Sequence, residues 1–113
     1  MNKITSFSIN KNNKEYKINV GYSKHAYSRK NERCNSINDY VVASNIMALG
    51  TGILSRTGKD VAVIDNVNNF TVIFAVEWSR KRDVVDCEII TIINKSNVFV
   101  KSKTDIVNVS DLF

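Results

Sequence analysis

Alternating apolar and polar side chains mark the start of the chain, as expected for half-buried strands. Residues 3–9 (KITSFSI) and 15–20 (EYKINV) both show this period of two. The segment NKNNK between them is rich in asparagine, which favours a tight turn. The pattern therefore predicts an N-terminal hairpin that ends at Gly21.

After Gly21 the spacing of the apolar residues favours two helices. Ser23 is a suitable N-cap for a helix that runs to about Cys34. Ser36, with Asp39 three residues later, approximates a capping box for a second helix. That helix is predicted over about residues 37–49, and its apolar residues and terminating glycines are Ile37, Tyr40, Val41, Ile46, Leu49, Gly50 and Gly52.

The second half of the chain is rich in β-branched and aromatic residues, which favour strands. Strands are predicted at 60–65 (DVAVID), at 70–78 (FTVIFAVEW), at 84–93 (VVDCEIITII) and in the short segment NVFVK. Because the helices are grouped and do not alternate with strands, the order indicates an α+β fold with a mainly antiparallel sheet. The length of 113 residues and the absence of a linker or repeat predict one domain over residues 1–113.

Charge and composition narrow the functional classes. Sixteen Lys and Arg residues against eleven Asp and Glu give a net charge of +5, which favours polyanionic partners such as nucleic acids. No apolar run approaches the roughly 20 residues that span a bilayer. The N-terminus also lacks the apolar stretch of a secretory signal, so we expect a cytoplasmic protein that does not enter the membrane.

Cofactor and metal signatures are missing from the sequence. There is no phosphate-cradling glycine loop, no acidic metal-binding cluster and no nucleophile turn of the GxSxG type. Cys34 and Cys87 lack CxxC spacing and the chain has a single histidine, so we expect two buried or half-buried free thiols in place of a zinc site. The sequence therefore predicts neither a cofactor nor a metal.

The first predicted helix, KHAYSRKNERC over residues 24–34, is unusually polar. His25, Arg29 and Arg33 are spaced by four and share one face, and Glu32 lies beside them. An imidazole can transfer a proton near neutral pH, and guanidinium groups can bind a phosphate through paired hydrogen bonds. This stripe indicates a phosphate-transfer site; the alternative is a solvated basic face in which Glu32 pairs with Arg29.

The stretch from Tyr22 to Val41, YSKHAYSRKNERCNSINDYV, resembles the histidine-helix region of RegB-like bacteriophage endoribonucleases. Both contain an aromatic residue, a serine, any residue and then His, a four-residue step to Arg, a further basic position, and a Tyr–Val pair that opens the next helix. The stretch is also similar to the HAxxRxxER signature of toxin-like RNases in the RelE-like (barnase–EndoU–colicin–RelE) fold group. In that group the helices precede a curved, mainly antiparallel sheet, here of three to four strands.

The resemblance implies a metal-independent endoribonuclease that acts on messenger RNA in the cytoplasm of a bacterial host. It assigns His25 to the catalytic histidine and Arg29 to the phosphate-contacting arginine. A ribosome, an antitoxin or a host protein are the further partners that it implies. RegB-like enzymes carry a second functional histidine in the following helix, whereas this chain reads VVASNIMAL there and has Asn45 or Ile46 near that place.

Candidates for the second catalytic role lie on the predicted strands. Thr91 falls where the toxin-like RNases often carry Thr or Ser near the active site; its alternative role is simple strand formation. Glu77 and Glu88 are candidate bases, and the alternative for both is a solvent-facing or paired carboxylate. Tyr27 could stack on a base, although packing within the protein is the alternative.

A second basic cluster is expected to contact RNA outside the reaction centre. Lys24 begins the polar helix, and the loop Arg80–Lys81–Arg82 follows Trp78, whose ring could stack on a base. Lys101 and Lys103 add further positive charge. If these cations bind RNA without cleavage, the chain is a non-catalytic RNA- or protein-binding module, or a phage protein that inhibits a host enzyme.

Overall fold

The computed structural model describes residues 1–79 and 83–112. In chain order the elements are strands β1 (Asn2–Lys11) and β2 (Lys14–Tyr22), helices α1 (Lys24–Arg33) and α2 (Asp39–Met47), a 3-10 helix (Gly50–Arg56), strands β3 (Lys59–Asp65), β4 (Phe70–Trp78), β5 (Val84–Ile93) and β6 (Asp105–Asn108), and a short 3-10 helix (Val109–Asp111). None of the helices in the described residues is both long and apolar enough to cross a membrane.

The six described strands form one sheet in the order β1-β2-β5-β4-β3-β6. Neighbours β1–β2, β3–β4 and β4–β5 run antiparallel, whereas β2–β5 and β3–β6 run parallel. The α+β class is therefore confirmed, but the sheet is mixed and the N-terminal hairpin is part of it. The hairpin joins the sheet because β2 has one large, mostly apolar face, Ile18, Val20 and Tyr22, which it buries beside β5.

The strand predicted in NVFVK is wrong, because residues 97–101 have no regular structure and the last strand is Asp105–Asn108. In the sheet β4 and β3 separate β5 from β6. The chain between β5 and β6 must therefore cross two strands before it can pair with β3, and residues 94–104 form that crossing.

The two helices begin close to their predicted starts, but the second has a different cap. The Ser23 Oγ accepts a hydrogen bond from the Ala26 N–H at 3.1 Å, as predicted for an N-cap. In α2 the cap is Asn38, whose Oδ1 accepts from the Tyr40 N–H at 2.7 Å, so the capping role predicted for Ser36 is wrong. Gly50, at φ +54°, begins the 3-10 helix that follows α2.

Gly21 does not end β2 but lies inside it, because only glycine fits there. A Cβ at this position would lie 2.6 Å from the backbone oxygen of Asn2, well inside van der Waals contact. The pairing of β1 with β2 also shifts register between Lys3 and Thr5, next to this close approach.

The helices pack on one face of the sheet, and the core lies between them. The core contains the alternate residues of the strands together with one stripe from each helix: Ile18, Val20, Tyr22, Ala26, Cys34, Ile37, Val42, Ile46, Ile53, Val61, Val63, Phe70, Val72, Phe74, Val76, Val85, Cys87, Ile89, Ile92 and Val109. Both cysteines are free and buried, as predicted, and burial beside Asp86 raises the pKa of Cys87 to about 12.

Asp65 joins α2 to the turn between β3 and β4, although its side chain is fully buried. One carboxylate oxygen accepts from the Val67 and Asn68 backbone N–H groups at 2.9 and 2.8 Å. The other accepts from the amide nitrogens of Asn45 and Asn68, both at 2.9 Å. Burial alone would raise the pKa of Asp65, but these hydrogen bonds outweigh it and hold the pKa below its usual value.

We expect Asp65→Asn to lower the free energy of unfolding at neutral pH by about 1–3 kcal/mol, because an amide would place a donor against donors. Urea unfolding followed by circular dichroism measures this change. Asp60→Asn is the matched control, since Asp60 is an exposed carboxylate on the same strand. Equal unfolding free energies for Asp65→Asn and Asp60→Asn would contradict the structural role of Asp65.

The same carboxylate makes the stability depend on pH. Because the folded pKa lies below the ordinary value of 3.8, the unfolded state binds the proton first as the pH falls. The stabilisation is complete above the ordinary pKa and is lost as the pH falls through the folded one, so it should decline between about pH 5 and pH 2. The decline should be smaller in Asp65→Asn than in the wild type.

Candidate functional site

A cavity of about 470 Å³ lies between α1 and the C-terminal half of β5. Its walls combine one face of the helix with the end of the strand and the residues that follow. The lining residues are His25, Ala26, Arg29, Arg33, Cys34, Ile90, Thr91, Ile92, Ile93, Asn94 and Lys95.

The end of β2 determines where this cavity forms. The last pair between β2 and β5 is Tyr22 with Ile89, and the Ser23 N–H donates to the Ile89 carbonyl at 2.8 Å. The chain then turns into α1, which packs against the rest of β5 where β2 no longer pairs with it. At the far end of α1 the Cys34 thiol lies 3.9 Å from the Ile92 carbonyl oxygen, a weak hydrogen bond that closes the cavity.

The buried face of α1 determines the direction in which its basic residues point. Ala26, Lys30 and Cys34 are spaced by four and are only 1%, 9% and 4% exposed. His25, Arg29 and Arg33 each precede one of these residues, and all three are exposed and line the cavity. The adjacent stripes of a helix differ by about 100° in direction, so packing the buried stripe turns the basic stripe towards β5.

The buried lysine of α1 is held by a polar network that includes β2 and α2. Lys30 Nζ lies 2.9 Å from Asp39 Oδ1, which also accepts the Tyr22 hydroxyl at 2.8 Å. Burial first, and then the bond and charge of Asp39, hold the pKa of Tyr22 well above its usual range. Lys30 therefore has a structural role. The helix cations that face the cavity are Arg29 and Arg33.

The cations of the cavity are not neutralised by the protein. Among residues 1–79 and 83–112, His25, Arg29, Arg33 and Lys95 form no side-chain hydrogen bond or ion pair. In particular, the pair between Arg29 and Glu32 that the alternative interpretation requires does not form. Uncompensated cations around a concave site attract anions, and guanidinium groups suit phosphate oxygens best.

Lys95 is a cavity residue that the sequence reasoning missed. The Thr71 Oγ1 donates to the Lys95 carbonyl oxygen at 2.9 Å, and Thr71 is fully buried. The next residue, Ser96, donates to the Asn69 Oδ1 through its backbone N–H and its hydroxyl at 3.1 and 2.9 Å. The sequence signal that could have identified Lys95 was its position just beyond the strand that carries Thr91.

Four of the five predicted catalytic residues, His25, Arg29, Arg33 and Thr91, thus meet in one cavity. Glu32 is exposed and does not line the cavity, so the structure does not bring it together with the other four. The reason is the helical repeat, which turns Glu32 further from the buried stripe than His25. Lys24, at the first position of α1, is exposed and also lies outside the lining.

Trp78, the described residue next to the predicted basic loop, lies beside the other end of β5. Trp78 pairs with Val85 and is half exposed, and its ring packs against Tyr16 at a centroid distance of 5.7 Å. At about 3.3 Å per residue, Val85 and Ile92 are roughly 23 Å apart along the strand. The residues Arg80, Lys81 and Arg82 lie outside the described part of the chain.

The candidate bases on the strands do not reach the cavity either. Glu77 and Glu88 line a small recess near Met1 together with Asp86, whose Oδ1 accepts from the Asn19 amide at 3.0 Å. Within the residues that the structure describes, no group of three or more His, Cys, Asp or Glu side chains is placed to share a metal ion.

Tyr27 lines a different cavity, of about 600 Å³, beside β1 and α2. Its ring packs against Tyr22 at a centroid distance of 6.4 Å, as the packing alternative predicts. Asn45, one of the two residues near the place of the second histidine, is only 5% exposed and bonds to Asp65. Ile46, the other, is fully buried in the core.

Comparison of the chain with models of known protein families gives no match, and comparisons with curated proteins and with solved structures give none either.

The charge of the cavity leads to a binding prediction that does not depend on catalysis. We expect pyrophosphate, but not chloride at equal ionic strength, to raise the melting temperature. At about ten times the Kd the stabilisation would be about 1.4 kcal/mol, a shift of several degrees. Thermal denaturation of Arg29→Ala/Arg33→Ala should show no such shift, whereas Lys11→Ala, on the distant hairpin, should keep it. An equal shift in the double variant would place the anion elsewhere.

Proposed function

We propose that this chain is a metal-independent endoribonuclease, similar in site chemistry to RegB-like and RelE-like RNases, that acts on messenger RNA. The observation that carries the proposal is the cavity in which His25, Arg29 and Arg33 of α1 face Thr91 and Lys95 at the end of β5. These residues provide one group that can exchange a proton near neutral pH and three permanent or near-permanent cations. Among the described residues that line the cavity there is no carboxylate that would repel a phosphate.

The proposed reaction uses the RNA's own nucleophile. His25 accepts the proton of the ribose 2′-hydroxyl, and the 2′-oxygen attacks the adjacent phosphorus. The bond from phosphorus to the 5′-oxygen of the next nucleotide breaks as that oxygen takes up a proton. The products are a 2′,3′-cyclic phosphate and a free 5′-hydroxyl, and His25 returns its proton to solvent.

The cations stabilise the charge that builds up on the phosphorus-bound oxygens. Arg29 and Arg33 approach from the helix wall, and Lys95 approaches from the opposite wall. Lys95 also carries protons, one of which it can give to the leaving 5′-oxygen, so that it supplies the acid that the reaction needs beside His25. The Thr91 hydroxyl can donate a hydrogen bond to the same phosphate.

A non-catalytic function is favoured by one specific observation. Asn45 and Ile46, near the place of the second histidine, are both committed to the core, so α2 supplies no acid or base to the cavity. If Lys95 does not take that role, the same cations form a binding site for RNA without cleavage. Such a module would bind RNA with a steep salt dependence and would tolerate His25→Ala.

Incubation of the protein with RNA in EDTA tests the nuclease directly. We expect discrete cleavage products that end in 2′,3′-cyclic phosphate, and a loss of about 10²–10⁴-fold in rate for His25→Ala, because general base catalysis typically contributes that much. Asn31→Ala, on the exposed side of the same helix, is the matched control and should cleave at the wild-type rate.

Substrate chemistry gives a second check. A strand with 2′-deoxyribose at the cleaved position should remain intact, because the nucleophile is absent. Intact RNA with both wild type and His25→Ala would exclude the nuclease, and salt-dependent binding in that case would support the non-catalytic module.

A further inference from the structure

The connection between β5 and β6 has an unusual surface. Residues 94–104 read NKSNVFVKSKT, which contains three lysines, one phenylalanine and no acidic residue. Asp105, which follows it, is near Arg56 and Lys59 at 3.8 and 4.0 Å. The positive charge of the segment is therefore not offset within it.

Side-chain exposure alternates along this segment. Ser96, Val98 and Val100 are half-buried, whereas Asn97, Phe99 and Lys101 are exposed. Phe99 is 97% exposed, the largest exposure among the large hydrophobic residues that the structure describes. An extended chain with this alternation directs every second side chain away from the protein. The outward set is Lys95, Asn97, Phe99 and Lys101, and Lys103 is exposed in the turn that follows.

The start of this outward row is fixed at the cavity. Lys95 lines the cavity, and the Thr71 and Asn69 hydrogen bonds anchor the backbone at Lys95 and Ser96. Four residues of extended chain span at most about 14 Å, so Phe99 lies within that distance of Lys95. At its other end the row finishes in a turn, where the Thr104 N–H donates to the Lys101 carbonyl at 3.0 Å.

We infer that Phe99, Lys101 and Lys103 form a binding strip for single-stranded RNA that extends from the cavity. This inference rests on the proposed function and specifies its substrate as a strand that is unpaired beyond the cleaved position. An isolated aromatic ring with cations on both sides matches the way single strands are bound, by stacking of a base and contacts to phosphates. Because the Phe99 ring is almost fully exposed, both of its faces are open to stack on a base.

The test measures RNA affinity by fluorescence anisotropy in the His25→Ala background, so that the RNA stays intact. Two probes are compared, a single strand of about 12 nucleotides and one of about three, which fills the cavity only. We expect Phe99→Ala to weaken binding of the longer strand about tenfold, as for the loss of one stacked base, and to leave the shorter one unchanged. Tyr40→Ala, which removes another exposed aromatic ring, from the wall of the other large cavity, is the control.

A second variant tests the lysines and does not depend on Phe99. In Lys101→Ala/Lys103→Ala, the slope of log K against log salt for the longer strand should decrease by about 0.7 per lysine. Phe99 and both lysines are exposed, so neither variant should change the melting temperature.

The outcomes separate this strip from the proposed nuclease. If wild type cleaves RNA but Phe99→Ala and Tyr40→Ala bind the longer strand equally well, the inferred RNA-binding strip is contradicted. The proposed nuclease activity is supported in that case. If Phe99→Ala weakens binding while wild type leaves RNA intact, the strip is supported and the nuclease is excluded. If Phe99→Ala instead converts a dimer to a monomer without a change in RNA affinity, the residue binds protein and the inference is overturned.

Discussion

The whole site depends on one buried stripe of α1, Ala26, Lys30 and Cys34. A helix with so few apolar residues gains little from burial, and its middle contact is a lysine. The ion pair with Asp39, which Tyr22 also contacts, makes the burial of that lysine possible and ties the helix to β2 and α2. Because the stripe faces inward, the residue before each of its members faces the cavity.

The mixed sheet provides the second wall. Parallel pairing of β2 with β5 stops at Tyr22 and Ile89, and the chain enters α1 immediately. The end of β5 therefore has a helix for a neighbour on that side, and the gap between them becomes a cavity. The hydrogen bonds of Thr71 and Asn69 then fix the chain beyond β5, which brings Lys95 into the lining of the same cavity as His25.

Local patterns predicted the elements and the basic stripe, because both depend on near neighbours in the sequence. Ser23 capped α1 as expected, and a spacing of four placed His25, Arg29 and Arg33 together. Local patterns could not predict which distant strands pair with each other. The parallel neighbours β2 and β5 are more than sixty residues apart, so no local signal marks them.

The differences between the sequence-based expectations and the structure also come from contacts between residues that are distant in the sequence. Glu32 is close to Arg29 in sequence, but which side of α1 is buried depends on Asp39 and β5, and that choice excludes it. Lys95 has no local signature, since its role comes from a hydrogen bond to Thr71, 24 residues away. Residues 97–101 look like a strand by composition, yet they belong to the connection that crosses β4 and β3 on its way from β5 to β6.

The most direct measurement is an NMR titration of the protein with an RNA strand carrying 2′-O-methyl groups, which cannot be cleaved. The account predicts that the largest shifts occur at the His25 ring and at the backbone amides of Arg29, Arg33, Thr91 and Lys95. Shifts centred on Tyr27, Tyr40 and Met47, around the other large cavity, would contradict it. So would shifts confined to the end of the sheet that carries Trp78.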